Sequence, residues 1–135
     1  MSGVKLTDIV EKMNLKNLTP EVDITEREVL VPDVNRPALQ LAGFFDHFDL
    51  NRVQIIGNVE CAYLETLTEE RRLEIYQKLL EHKVPCIIFS NELQPDESFL
   101  ELAEKNDIPV FGTCKKTSSF MGELIRWLNV KLAPC

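Results

Sequence analysis

Three short apolar runs, separated by segments whose apolar residues recur at helical spacing, constrain this chain more than any other feature. The central run is Val84-Pro85-Cys86-Ile87-Ile88-Phe89-Ser90. It is too short for a helix, opens at Pro85 and closes at polar Ser90-Asn91, so it reads as a strand buried on both faces. Val53-Gln54-Ile55-Ile56-Gly57 precedes it and Ile108-Pro109-Val110-Phe111-Gly112 follows it. Strand and helix therefore alternate from Arg52 to Leu132, which demands crossover connections. The expected fold class is α/β: three layers, with a mostly parallel sheet and helices on both faces.

The helices are legible from their stripes and ends. Leu6, Ile9, Val10 and Met13 share one face of a first helix that Thr7 or Asp8 helps start and Asn14 ends. Leu15 to Thr25, interrupted by Pro20, reads as a connector. Glu28-Val29-Leu30-Val31 reads as a short strand at a sheet edge or in a separate ribbon. Pro37 suits the first turn of a short helix, with Asn35 in capping range and Gly43 ending it. A short segment with Leu64 and Leu67 leads to Thr68, an N-cap for a helix with Glu69 and Glu70 in its first turn and His82 and Lys83 at its end. Leu73, Tyr76, Leu79 and Leu80 supply its buried stripe. A helix from Pro95-Asp96 to Asn106 buries Phe99, Leu102 and Ala103, and a last one from Thr117-Ser118-Ser119 carries Met121, Leu124, Ile125, Leu128 and Leu132. Phe44, Phe45 and Phe48 are expected to plug one end of the core, since an exposed triple-Phe patch invites aggregation. Docking of a partner domain is their alternative use.

At 135 residues the chain has the size of one domain, residues 1–135, with a core that needs no staples. Fifteen Lys and Arg against 22 Asp and Glu leave a formal charge of -7, which opposes general binding to nucleic acid or an anionic membrane. No apolar run reaches the roughly 20 residues of a membrane span, and the first residues lead into an amphipathic helix, so the expected location is cytoplasmic. Cys61, Cys86, Cys114 and Cys135 show no metal-clip or redox spacing and read as reduced thiols; no metal site is expected.

In an open parallel α/β sheet, ligands bind beyond the carboxyl ends of the strands, where helix N-termini present unpaired N–H groups. Those ends are Gly57-Asn58, Ser90-Asn91 and Gly112-Thr113, and the last leads into Cys114-Lys115-Lys116-Thr117-Ser118-Ser119. Two cations, three hydroxyls and a helix start suit a phosphate or carboxylate. The candidate ligand-binding set is Gly57, Ser90, Asn91, Gly112, Thr113, Lys115, Lys116, Thr117 and Ser118. The alternative is that Thr117 or Ser118 merely caps the helix and the lysines are solvated. No catalytic residue is expected: the chain has no Gly-x-x-x-x-Gly-Lys, Gly-x-Gly-x-x-Gly, His-Glu-x-x-His or Gly-x-Ser-x-Gly pattern. Asp46-His47 and Glu81-His82 are sequence neighbours, which do not face each other on a helix. A Cys114 nucleophile beside Lys115 and Lys116 would need a depressed thiol pKa and a partner base that the sequence does not supply.

Thr7-Asp8-Ile9-Val10-Glu11, the Asn35-Arg36-Pro37-Ala38-Leu39-Gln40-Leu41-Ala42-Gly43-Phe44-Phe45 block, Arg52-Val53-Gln54-Ile55-Ile56-Gly57, Lys116-Thr117-Ser118-Ser119 and Leu132-Ala133-Pro134 together resemble the N-terminal domain of the bacterial HPr kinase/phosphorylase family. The resemblance covers essentially the whole chain. It implies a regulatory or assembly domain of a hexameric enzyme that phosphorylates and dephosphorylates a serine of the phosphocarrier HPr in carbon catabolite control. In that family the phosphate-binding loop, the Mg²⁺ site and the catalytic acid and base lie in a C-terminal kinase domain, which uses ATP or pyrophosphate. The resemblance places the start of the linker to that domain near Leu132, leaves this chain without a cofactor of its own, and makes the kinase domain and HPr its expected partners. The fold it implies is like that of the N-terminal domain of muramyl ligases, which contacts a uridine nucleotide; that likeness agrees with a small anionic ligand at the Thr113–Ser119 loop. A stand-alone small-molecule sensor of similar fold is the competing reading.

Overall fold

The computed structural model describes residues 3–134. In chain order the elements are β1 (Val4–Lys5), α1 (Leu6–Met13), β2 (Lys16–Asn17), β3 (Glu28–Val29), β4 (Val34–Asn35), α2 (Ala38–Leu41), β5 (Val53–Ile56), α3 (Asn58–Glu65), α4 (Glu69–Leu80), β6 (Ile87–Phe89), α5 (Glu97–Lys105), β7 (Val110–Gly112) and α6 (Thr117–Leu132). A five-stranded sheet runs in the order β2-β7-β6-β5-β4, and β1 and β3 form a separate antiparallel ribbon. β4, β5, β6 and β7 are parallel, with Gln54 opposite Ile87 and Ile87 opposite Val110, while β2 joins antiparallel at the edge.

The three central strands are buried on both faces, and their residues alternate between two cores. Val53, Ile55, Ile88 and Phe111 face α1, α6 and the ribbon, where Leu6, Ile9, Met13, Phe120, Leu124 and Leu128 complete one cluster. Ile56, Ile87, Phe89 and Val110 face the other way, against Leu41, Leu64, Ile75, Tyr76, Leu79, Phe99 and Ala103. The sheet is thus covered by helices on both sides, as the alternation of elements requires.

Several ends follow the local chemistry of the sequence. Asn14 closes α1 in the left-handed conformation at φ 53°, and Thr68 Oγ1 accepts the Arg71 N–H at 3.1 Å to start α4. Gly43, at φ 101°, occupies a backbone region that side-chain-bearing residues rarely adopt, and its N–H donates to the Gln40 carbonyl. Glu28–Val29 falls in the ribbon rather than at an edge of the main sheet.

Other expectations need correction. The Leu15 to Thr25 connector contains β2 and buries Leu15, Thr19 and Val22. Thr19 Oγ1 accepts the Val110 N–H at 2.9 Å, so a side chain prolongs the edge pairing where the strand has ended. Leu73 is 37% exposed and Ile75 takes its place in the core, because the stripe of α4 is rotated relative to the assumed one. Asn35 does not cap α2. Its amide donates instead to Gln40 Oε1 at 3.1 Å and Gln54 Oε1 at 2.7 Å, securing the edge strand.

Phe44, Phe45 and Phe48 do not plug the core as a unit. Phe44 is 48% exposed. Phe45 stacks flat on the His82 ring, with centroids 4.5 Å apart, and Phe48 meets the same ring edge-on. His82 Nδ1 lies 2.7 Å from the Lys78 carbonyl oxygen, so the ring closes the last turn of α4. Phe45 and Phe48 also meet each other edge-on at 5.8 Å, and Phe48 alone of the three packs against the buried cluster.

Candidate functional site

The carboxyl ends of β4, β5 and β6 and the start of α6 converge at one edge of the sheet. Gly57 follows β5 and lets this edge close tightly. A Cβ at this position would stand 2.8 Å from both Arg36 Nη2 and Thr117 Oγ1. Its φ of -120° is ordinary extended backbone, so glycine is required by the close approach and not by conformation.

Arg36, at the end of β4, reaches across to Glu60 in the first turn of α3. Its Nη2 is 2.6 Å from Glu60 Oε1. The same oxygen accepts the Gly57 N–H at 2.8 Å, and the Glu60 side chain is only 2% exposed. A buried carboxylate with both an ion-pair and a backbone partner is satisfied, whereas removal of the cation would strand it. Arg36 is left with unused donors: its buried Nε–H has no acceptor among the described residues.

Ser90, at the end of β6, donates to or accepts from Thr117 across 2.6 Å, and Asn91 Nδ2 donates to the same Thr117 oxygen at 3.2 Å. Asn91 and Glu92 are successive left-handed residues at φ 58° and 57°. That backbone costs of order 1–3 kcal/mol per residue. It is held because the Asn91 N–H donates to the Lys115 carbonyl and the Glu92 N–H to the Thr113 carbonyl, each at 2.9 Å. The two loops are thereby bound into one rim.

The resulting open cleft has a volume of about 510 Å³ and is lined by Arg36 of the β4 end, Asn58 and Val59 of α3, Asn91, and Lys116, Thr117, Ser118 and Ser119 of the α6 start. That is the size range of small-ligand sites. α6 begins after Lys116 with no side-chain cap, and α3 begins after Gly57 with none either. The first residues of α3 and α6 therefore border the same space as a guanidinium and an ammonium.

Of the residues expected from the sequence, Asn91, Lys116, Thr117 and Ser118 line this cleft, and Gly57 and Ser90 brace it from behind. Three belong elsewhere. Lys115 turns along α6 and pairs with Glu123 at 2.7 Å, a contact that holds the Glu123 carboxyl below its usual range. Gly112 and Thr113 border a separate depression with Asn14, Lys16, Leu18 and Cys114. The hydroxyl of Thr117 does not cap α6; it is used in cross-linking to β6. Arg36 and Val59 were not expected, while Asn58 and Ser119 lie in the expected strand end and loop but outside the candidate set. Arg36 carried no readable signal of its own, since it directly follows a two-residue strand and a strand that short has no periodicity to detect.

Cys114 is exposed, with Glu92 the acidic neighbour in its depression and no histidine there. Burial pushes the Cys86 thiol up to about 12 and, with help from nearby carboxylates, the Cys61 thiol up to about 11. Cys135 lies outside the described residues. Among the described residues no group of three or more His, Cys, Asp or Glu side chains is placed to hold a metal ion, and no helix is long and apolar enough to cross a membrane. A smaller, partly open space between α3, α4 and α5, about 90 Å³, is lined by Cys61, Arg72, Tyr76 and Asp96 among others. There Asp96 accepts from Tyr76 and pairs with Arg72, while Glu65 and Gln94 also border the space.

The chain was compared with known proteins. A regulatory region of Clostridium perfringens pyrophosphatase, containing CBS and DRTGG domains and complexed with the activator diadenosine tetraphosphate, superposes with a TM-score of 0.66 over 98% of this chain and 50% of that one. At 21% identity the likeness concerns the fold alone. HPr kinase/phosphorylase of Lachnoclostridium phytofermentans is 54% identical over 99% of this chain, and that of Caldicellulosiruptor bescii is 42% identical over 93%. The chain spans 43% and 40% of the length of these two relatives. Residues 4–128 match the family described as HPr Serine kinase N terminus, and the chain belongs to that family.

Proposed function

We propose that this chain is a non-catalytic regulatory and assembly domain of an HPr kinase/phosphorylase, working in the cytoplasm beside a kinase domain that phosphorylates and dephosphorylates a serine of HPr. The observation that carries the reading is the family match over residues 4–128, together with relatives of that name that extend well beyond the matched part. The chain has no phosphate-binding loop, so ATP or pyrophosphate and Mg²⁺ belong, in this reading, to the catalytic domain. Within the chain the cleft at the sheet edge takes a small anionic ligand, held by Lys116, Thr117, Ser118 and Asn91 from the sequence-derived set and by Arg36. Exposed Leu39 and Phe44, joined by the Phe44 N–H bond to the Leu39 carbonyl, offer the kinase domain an apolar docking point.

A chimera tests this reading. The matched residues of the Lachnoclostridium phytofermentans protein are replaced by this chain, and serine phosphorylation of HPr and subunit assembly are measured. Activity that changes when the whole segment is deleted, and changes again with Phe44→Ser, supports a regulatory and assembly role. Equal activity and assembly with and without the segment contradict it.

A stand-alone sensor is the second reading. It draws on the fold shared with a regulatory region complexed with a nucleotide activator. A chimera that stays inert, while the isolated chain binds an anionic ligand, favours the sensor.

A further inference from the structure

We infer that residues 90–96, the loop from β6 to α5, form a latched strap. The strap switches as one unit between the strained form seen in the structure and a relaxed one, and so changes the rim of the open cleft and the smaller space between α3, α4 and α5 together. This holds whatever the cleft binds.

Backbone strain is concentrated in this loop. Asn14, His47 and Asp107 are solitary non-glycine residues at positive φ, whereas Asn91 and Glu92 follow one another at 58° and 57°. Asn is enriched in that region of backbone space and Glu is not. The N–H groups of both residues are held from outside the loop. They donate to the Lys115 and Thr113 carbonyls, each at 2.9 Å, and Asn91 Nδ2 donates to Thr117 Oγ1 at 3.2 Å. Bonds to the segment between β7 and α6 therefore hold a backbone that relaxes to negative φ once they part, and relaxation turns the two N–H groups away from their carbonyls.

The far end of the strap is fastened to α4, where Asp96 accepts from the Tyr76 hydroxyl and pairs with Arg72 at 3.5 Å. Between the two fastenings stands Pro95, whose φ is fixed and which confines Gln94 to extended backbone. This stiff stretch passes a rotation at Asn91 and Glu92 on to Asp96 instead of absorbing it. Leu93, half-buried against the cluster under α4 and α5, has to leave with the loop, and its burial opposes release. Asn91 lines the open cleft, and Gln94, Pro95 and Asp96 line the smaller space, so one movement alters both.

Native-state hydrogen exchange of the ¹⁵N-labelled chain tests the strap through the amides of Asn91, Glu92 and Leu93. The three are expected to exchange through one common opening, with protection well below that of the amides of β6. Glu92→Gly removes the strain and is expected to raise their protection roughly threefold. Glu92→Val places a β-branched residue at positive φ and is expected to lower it roughly tenfold. Tyr76→Phe keeps the ring in the core, frees Asp96, and is expected to lower the same protection roughly threefold. Exchange of the three amides at unrelated rates, or only on global unfolding together with β6, overturns the strap. Equal protection in Glu92→Gly and Glu92→Val overturns the stored strain. Unchanged protection of the three amides in Tyr76→Phe overturns the link to α4, and with it the switching of residues 90–96 as one unit.

Discussion

Ser90 Oγ and Thr117 Oγ1 lie 2.6 Å apart, and this hydroxyl pair fastens the first residue of α6 to the carboxyl end of β6. Because Thr117 also accepts from Asn91, one side chain sets the spacing between the central strand and the helix whose N–H groups open on the cleft. Thr117→Val keeps the shape and removes the oxygen. It should cost about 1–3 kcal/mol by leaving the Asn91 amide without its acceptor, Ser90 keeping the Ile56 carbonyl, whereas Thr117→Ser should cost less. Chemical denaturation of the two variants checks the difference; equal stability would show that water replaces the pair.

Gly57→Ala is expected to destabilise by about 1–3 kcal/mol through crowding alone, since the new Cβ meets Arg36 Nη2 and Thr117 Oγ1 at 2.8 Å. Neither neighbour is free to move, one being bound to Glu60 and the other to Ser90. A thermal midpoint lowered by several degrees is the expected result.

Arg36→Ala should cost about 3–5 kcal/mol, because it leaves the Glu60 carboxylate buried without its cation. Glu60→Gln in the same chain should recover part of that loss. The double-mutant cycle therefore gives a coupling energy of roughly 0.5–3 kcal/mol between the two positions, and strict additivity would contradict the pairing.

Alkaline pH should destabilise the fold. Cys61 and Cys86 have folded pKa values raised to about 11 and about 12, and desolvation together with the Asp96 contact also pushes the Tyr76 phenol up. The folded state holds these protons longer than the unfolded chain, so the stability they confer is complete below about pH 9 and is lost as pH rises through the folded values. For fully buried Cys86 the slope approaches ~1.4 kcal/mol per pH unit. Denaturation curves at pH 8, 9 and 10 should show the decline, and Cys86→Ala should flatten it. In a Cys135→Ser background, thiol labelling should modify exposed Cys114 first and Cys86 only on unfolding.

What could be read from the sequence depended on how much of an element packs against its neighbours. β5, β6 and β7 are buried on both faces, so their apolar runs announce them, and the capping residues Thr68 and Asn14 mark helix ends by local chemistry. β2 and β4 have two residues each at the sheet edges, and their placement comes from long-range pairing with β7 and β5 that no local pattern encodes. At the cleft the same limit applies. Missing β4 meant missing Arg36 as a strand-end residue, while Lys115 and Lys116, adjacent in sequence, point to different surroundings because one begins a pairing along α6 and the other precedes the helix. The aromatic cluster divides for another reason: Phe48 packs against the core, while His82 offers Phe45 a stacking partner outside it.

The difference between those two lysines gives the most direct test that the cleft is the ligand site. Thermal shifts with inorganic phosphate, pyrophosphate, sugar phosphates and nucleotides are to be measured for the chain, for Lys116→Ala and for Lys115→Ala. A compound at about a hundred times its dissociation constant adds roughly 2.7 kcal/mol, a shift of several degrees at this size. The account predicts a shift that disappears in Lys116→Ala and persists in Lys115→Ala. A shift lost with Lys115 and kept without Lys116, or no shift with any of these compounds, would contradict it.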